Sequence, residues 1–113
     1  MLPKEGSLLR IFIGESDRHG EQPLYEWLVL QAREQGLAGA TVLRGIMGFG
    51  PQSRIHTMKI LRLSQDLPII VEIVDTEEKL EGFLELVKSE IRDGLVTLER
   101  AHVQLYRSQP PTS

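Results

Sequence analysis

Between Pro68 and Val74 the chain reads PIIVEIV, and apolar side chains occupy both parities of the run. Alternate residues of a strand face opposite sides of a sheet. Ile69, Val71 and Ile73 therefore point one way, while Ile70 and Val74, with Glu72 between them, point the other. Leu8–Gly14 (LLRIFIG) repeats the pattern, with Leu9, Ile11 and Ile13 opposed to Leu8 and Phe12. A sheet built from such strands cannot leave one face in water without exposing a contiguous apolar patch. Both faces need a cover, which the rest of the chain has to supply or recruit.

Two amphipathic helices are available. Pro23 opens the first, where its missing N–H does no harm, and Leu24, Trp27, Leu28 and Ala32 recur at helical spacing until Gly36. Asp75 is expected to cap the second, with Glu78 completing a capping box. Leu80, Phe83, Leu84, Val87 and Ile91 form its buried stripe, and Gly94 ends it. Ala40–Ile46 and Leu95–Tyr106 read as further extended segments, and part of Arg54–Asp66 as an extra hairpin arm. The order is β-α-β, then β-α-β, a weak internal repeat. It specifies an α+β fold, a ferredoxin-like βαββαβ sandwich with two helices on one face of four antiparallel strands. One domain is expected over residues 1–107, with 108–113 a flexible tail. The second apolar face then stays open. A second copy packed sheet to sheet is the expected cover; the extra arm folding back is the alternative.

Composition narrows the function classes. A chain of 113 residues has one-domain length and buries only about two thirds of its unfolded surface, so self-association would help it. Thirteen basic and sixteen acidic residues leave a net charge of −3, without the basic footprint of a nucleic-acid binder. The absence of cysteine excludes disulfide and thiolate chemistry and suits a reducing compartment. No run approaches the roughly 18 apolar residues of a membrane span, and the N-terminus lacks the apolar core of a signal peptide. A cytoplasmic protein is expected.

The sandwich hosts many activities, so function has to be read from side chains. RNA recognition needs stacking aromatics on the central strands, and Pro68–Val74 has none. The loop after the first strand carries Arg18 without the glycine pattern of an acylphosphatase. His19, His56 and His102 are scattered, with no pair at metal-binding spacing. Glu15 and His19 have the makings of an acid–base pair, but nothing in the sequence positions them, and no enzyme is expected. Glu15, Asp17, Arg18 and His19 form a polar cluster that reads as a solvated loop or as part of a neighbouring copy's cleft.

The informative segment runs from Arg44 through Gly45, Ile46, Met47, Gly48, Phe49 and Gly50 into Pro51-Gln52-Ser53-Arg54. Glycines let backbone N–H groups approach an anion. Arg44, Arg54, His56 and Lys59 flank the loop, and the arginine fork suits phosphate. Met47 and Phe49 can pack on a base. A plain hairpin connection that needs glycines for positive φ satisfies the spacing equally well.

Gly48-Phe49-Gly50-Pro51-Gln52, followed by Leu67-Pro68 and Glu72-Ile73-Val74, resembles the PII signal-transduction proteins. In those proteins a G-F-G-R-Q run opens the regulatory T-loop, and a strand starting L-P and running to E-I-V closes it. More closely, the chain looks like a member of the DUF190 family of PII-like proteins, from Leu8 to about Val103. Gly14–His19 (GESDRH), Pro23-Leu24-Tyr25, Gly39–Gly45 (GATVLRG), Asp66-Leu67-Pro68 and Val71–Asp75 (VEIVD) carry that likeness.

The resemblance implies a homotrimer that binds an adenine nucleotide in clefts between subunits and controls a partner, such as a membrane transporter, through a short T-loop. Arg44, Gly45, Gly48, Phe49 and Gly50 would line the site, with Arg54 and His56 as phosphate partners. PII proteins carry a second glycine loop, T-G-x-x-G-D-G-K-I, whose lysine meets phosphate. Here Ile91-Arg92-Asp93-Gly94-Leu95 keeps Asp93 and Gly94 but puts Leu95 in the lysine's place, and Pro51 stands where the arginine follows G-F-G. AMP or ADP is therefore expected ahead of ATP. No tyrosine stands in the loop for uridylylation of the PII kind. The alternative is a structural or cation-binding trimer that resembles the divalent-tolerance proteins and takes no nucleotide.

Overall fold

The computed structural model describes residues 3–51 and 66–109. Strand β1 (Glu5–Gly14) is followed by a minute hairpin, β2 (Arg18–His19) and β3 (Gln22–Pro23), and by helix α1 (Leu24–Glu34). Strands β4 (Thr41–Arg44) and β5 (Pro68–Asp75) come next, then helix α2 (Glu77–Val87), a 3-10 turn (Lys88–Glu90) and strand β6 (Leu95–His102). The four long strands form one sheet in the order β4-β5-β1-β6, with every neighbour antiparallel. This is the ferredoxin-like arrangement expected from the order of elements.

The register explains the two-faced strands. In the central pair Ile11 faces Val71, Leu9 faces Ile73 and Ile13 faces Ile69. These six side chains are buried beneath the helices with Leu24, Leu28, Ala32, Leu80, Phe83 and Val87. Each large one contributes roughly 1.5–3 kcal/mol by leaving water. The opposite face of β1 and β5 carries Leu8, Phe12, Ile70 and Val74, all only partly buried. Arg10 lies among them. Its Nε donates to Glu72 at 2.9 Å and a terminal nitrogen to Glu99 at 2.5 Å. The Glu72 bond first, and the Glu99 contact after it, raise the guanidinium's pKa further. Among the described residues, no helix covers this face. The arm expected within Arg54–Asp66 lies almost wholly outside the described residues.

Local chemistry corrects several boundaries. Helix α2 is capped by Thr76, whose hydroxyl accepts from the Lys79 N–H at 3.2 Å, and not by Asp75. Asp75 ends β5, only 4% exposed, and its two carboxylate oxygens accept from the N–H groups of Ala38 (2.9 Å) and Thr76 (2.7 Å). A buried carboxylate has to be paired, so the tie to the α1–β4 loop takes precedence over capping. The same helix ends at Val87, before Gly94, and Ile91 packs on the core from beyond the 3-10 turn. Helix α1 starts one residue after Pro23, and the Leu24 N–H donates to the Asp17 carbonyl at 2.8 Å. At its other end Leu37 N–H reaches Ala32 O and Gly36 N–H reaches Arg33 O, a Schellman close with Gly36 at φ 73°. Strand β4 is shorter than Ala40–Ile46. Strand β6 stops at His102, after which Val103 N–H donates to Lys4 O and the Tyr106 hydroxyl to Ala38 O.

Asp75→Ala should leave two backbone donors unsatisfied and lower stability by about 1–3 kcal/mol, read as a reduced midpoint in urea unfolding. Asp75→Asn, which keeps acceptor capacity at one oxygen, should fall between.

Candidate functional site

Antiparallel pairing gathers one set of chain ends at a single edge of the molecule. β1 runs out at Gly14 opposite Pro68, the first residue of β5, and Phe12 faces Leu95, the first residue of β6. The loop leaving β4 and the turn entering β6 are thereby brought beside the end of β1. Between them lies a cleft of about 510 Å³. Gly48, Phe49, Gly50 and Pro51 form one wall, Asp93, Gly94 and Leu95 another, and Phe12–Gly14 with Asp17, Asp66 and Pro68 the floor.

Backbone approach holds this edge together. Gly45 N–H donates to Pro68 O at 2.7 Å and Glu15 N–H to Leu67 O at 2.8 Å. A Cβ on Gly45 would stand 2.6 Å from Pro68 Cγ, so glycine lets the loop leave β4 against the proline ring. A Cβ on Gly94 would stand 2.5 Å from the Phe12 carbonyl oxygen, which is backbone and cannot turn aside. At Gly50 nothing lies within 4 Å of that position. The close contact of β4 with β5 therefore accounts for Gly45, while Gly50 faces open space at the cleft.

Much of the site's acid holds its own backbone. Asp17 Oδ2 accepts from Gly14 N–H at 3.0 Å, and Asp66 Oδ1 accepts from Ser16 N–H at 2.7 Å. The charged side chains among the described residues of the cleft are Asp17, Asp66 and Asp93. No group of three or more acidic or histidine side chains placed to hold a metal ion occurs among the described residues. Exposed apolar side chains flank the opening, with Phe49 66% and Met47 72% accessible.

The structure brings Gly48, Phe49 and Gly50 into the cleft. Arg44 and Gly45 sit just behind its wall, and Arg44 pairs with Glu15 at 2.7 Å. Arg54 and His56 lie outside the described residues. Of the polar cluster after β1, Asp17 belongs to the cleft, Glu15 serves Arg44, and Arg18 turns to the Glu21 carbonyl. His19 stacks on Trp27. The sequence reading missed Phe12, Ile13, Gly14, Asp66, Pro68 and Leu95 as lining residues. No local motif marks them; the register of β1 against β5 and β6 puts them there. Asp93-Gly94 was the signal that could have found the second wall.

Among solved structures, the fold is similar to CPII from Thiomonas intermedia K12 bound to ADP and bicarbonate, with a TM-score of 0.64 at 19% identity, covering 91% of this chain and 95% of that one. The same protein bound to ADP, AMP and acetate matches at 0.62 and 17% identity, covering 89% and 90%. A PII-like signaling protein from Thermus thermophilus matches at 0.58 and 20% identity, covering 88% and 89%. These likenesses show a PII-like fold. In sequence, a UPF0166 protein of Aquifex aeolicus is 45% identical over 96 residues, 85% of this chain and 90% of that protein. A UPF0166 protein of Methanocaldococcus jannaschii is 32% identical over 100 residues, covering 88% and 92%. The DUF190 family model, described as Uncharacterized ACR, matches residues 6–103. With the resemblance in its loops, the register of its sheet and this match in agreement, the chain belongs to the DUF190 family.

Proposed function

We propose that this protein is a PII-like regulator that binds an adenine nucleotide, AMP or ADP ahead of ATP, and acts on a partner through the loop between β4 and β5. The observation that carries the reading is the convergence of Gly48-Phe49-Gly50 with Asp93-Gly94-Leu95 around one cleft at the end of the sheet. That is where the resemblance expects the nucleotide. The CPII structures similar in fold contain ADP and AMP, which supports the ligand class.

Charge decides among the nucleotides. The described lining presents three aspartates, and each added phosphate adds repulsion against them. Leu95 stands where a lysine would offset that charge. Phosphate-binding cations then have to come from Arg54 and His56, from Arg44 once it leaves Glu15, or from a neighbouring subunit. Exposed Phe49 offers a flat face for the base. Because glycine backbone and exposed apolar side chains dominate the opening, the site is read as binding without catalysis.

A homotrimer completes the proposal. Among the described residues no helix covers the face bearing Leu8, Phe12, Ile70 and Val74, and Leu43 and Leu95 extend it with 44% and 57% exposure. Packing of copies through this face would close the cleft with a neighbour's residues. No helix among the described residues is long and apolar enough to cross a membrane. A cytoplasmic regulator acting on a transporter or another target is the corresponding assignment, with residues 1–107 as its unit.

Thermal melting with AMP, ADP, ATP and divalent ions tests the ligand. At a concentration about 100 times its Kd, AMP or ADP should add about 2.7 kcal/mol, a midpoint rise of several degrees, and ATP at that same concentration should add less. Phe49→Ala, at an exposed position, should keep the unliganded midpoint and lose most of the rise; Gly94→Ala should lower both. No shift with any nucleotide, together with a shift on adding a divalent ion that chelator reverses, would replace this reading by the cation-binding trimer.

Sedimentation tests the assembly. The wild-type protein should run as a trimer, and Val74→Arg, which puts an unpaired charge on the open face, should run as a monomer. A monomeric wild type would refute the assembly.

A further inference from the structure

His19 lies outside the cleft but joins the elements that form it. Its ring stacks on Trp27 with centroids 4.1 Å apart and planes 12° from parallel, and its Nε2 lies 3.1 Å from Glu90 Oε1. His19 follows Asp17 of the floor by two residues. Glu90 ends the 3-10 turn and precedes Asp93 of the far wall by three. Trp27 belongs to α1, which is anchored by buried Leu24 and Leu28 on either side of it. The imidazole thus spans the hairpin and the turn, resting on a platform fixed to the core.

We propose that the His19–Trp27–Glu90 contact is a protonation-sensitive tie that positions the Asp93–Leu95 wall of the cleft relative to Asp17. Neutral imidazole offers Glu90 at most one hydrogen bond through Nε2. Imidazolium keeps that bond, adds a full charge opposite the carboxylate, and sets a cation against an indole face. Lower pH therefore tightens the tie, and higher pH slackens it. On the same elements Arg18 meets the Glu21 carbonyl, Glu26 accepts from Gln22 Nε2 at 3.1 Å, and Lys88 pairs with Glu85 at 2.7 Å. Arg92 and Asp93 follow Glu90 on the segment that enters β6. His19 is a positioning residue, acting through the turn and not by touching a ligand. As a tie between the walls of the proposed nucleotide cleft, it rests on that reading for its purpose but not for its test.

Trp27 is the chain's single tryptophan, so its emission reports the stacked ring directly. Emission of the ligand-free wild type should fall as pH is lowered from roughly 8 to 5.5, because imidazolium quenches a stacked indole, and His19→Gln should abolish that change. Amide exchange at residues 92–95, corrected for the intrinsic pH dependence, should be at least about threefold slower at the lower pH in the wild type only. His19→Gln and the near-isosteric Glu90→Gln should both remove that difference. An emission change that survives in His19→Gln, or an exchange ratio equal in all three proteins, would overturn the proposal. Neither readout uses a nucleotide, so failure of ADP to bind would overturn the preceding reading and leave this one standing.

Discussion

The antiparallel pairing of β1 with β5 is the contact on which the other features rest. Its register sets Ile11 against Val71 and carries Leu9, Ile13, Ile69 and Ile73 onto one face. A slip of one residue would invert every side chain and bring Arg10 and Glu72 under the helices. The same register places Gly14 opposite Pro68, which delivers the loop after β4 to the end of β1. Core and cleft are thus two results of one set of hydrogen bonds, and mutations that loosen the central pair will disturb both.

The cleft is built mainly from backbone. Gly45 and Gly94 permit approaches that a Cβ would forbid, and Asp17 and Asp66 accept N–H groups at the turn that follows β1. Such a site is shaped before any ligand arrives, which reduces the ordering cost of binding. Its acid content has a structural origin, since these carboxylates satisfy turn amides. The consequence for recognition is electrostatic: a polyanion must bring or recruit its own compensation.

Charge is also managed on the open face. Arg10 stands directly across from Glu72 and diagonally from Glu99, so among the described residues the one cation on this largely apolar face is shared by two carboxylates and one negative charge is left over. Desolvating such a cluster on association costs less than burying three separate charges, because Arg10 is already paired and the half-exposed Glu99 sits toward solvent. An apolar surface whose Arg10 is already held by neighbouring carboxylates suits a second copy, with Glu99 at its exposed margin.

The strand runs Leu8–Gly14 and Pro68–Val74 determined which side chains share a face and that both faces are largely apolar, because side-chain direction in a strand follows from position alone; the helices decided which face is buried. Helical periodicity likewise determined α1 and the core stripe Leu80–Val87. The loop wording around Gly48-Phe49-Gly50 and Asp93-Gly94 was enough to identify the family. The tertiary structure alone decided where competing local options settled. Asp75 could cap or tie, and burial beside Ala38 made it a tie, leaving Thr76 to cap. Arg44 could meet an anion or a carboxylate, and in the described structure Glu15 is its partner. Phe12, Pro68 and Leu95 became cleft residues because strand pairing brings together positions more than fifty residues apart. Such proximity follows from register and close packing, quantities that no single stretch of chain contains.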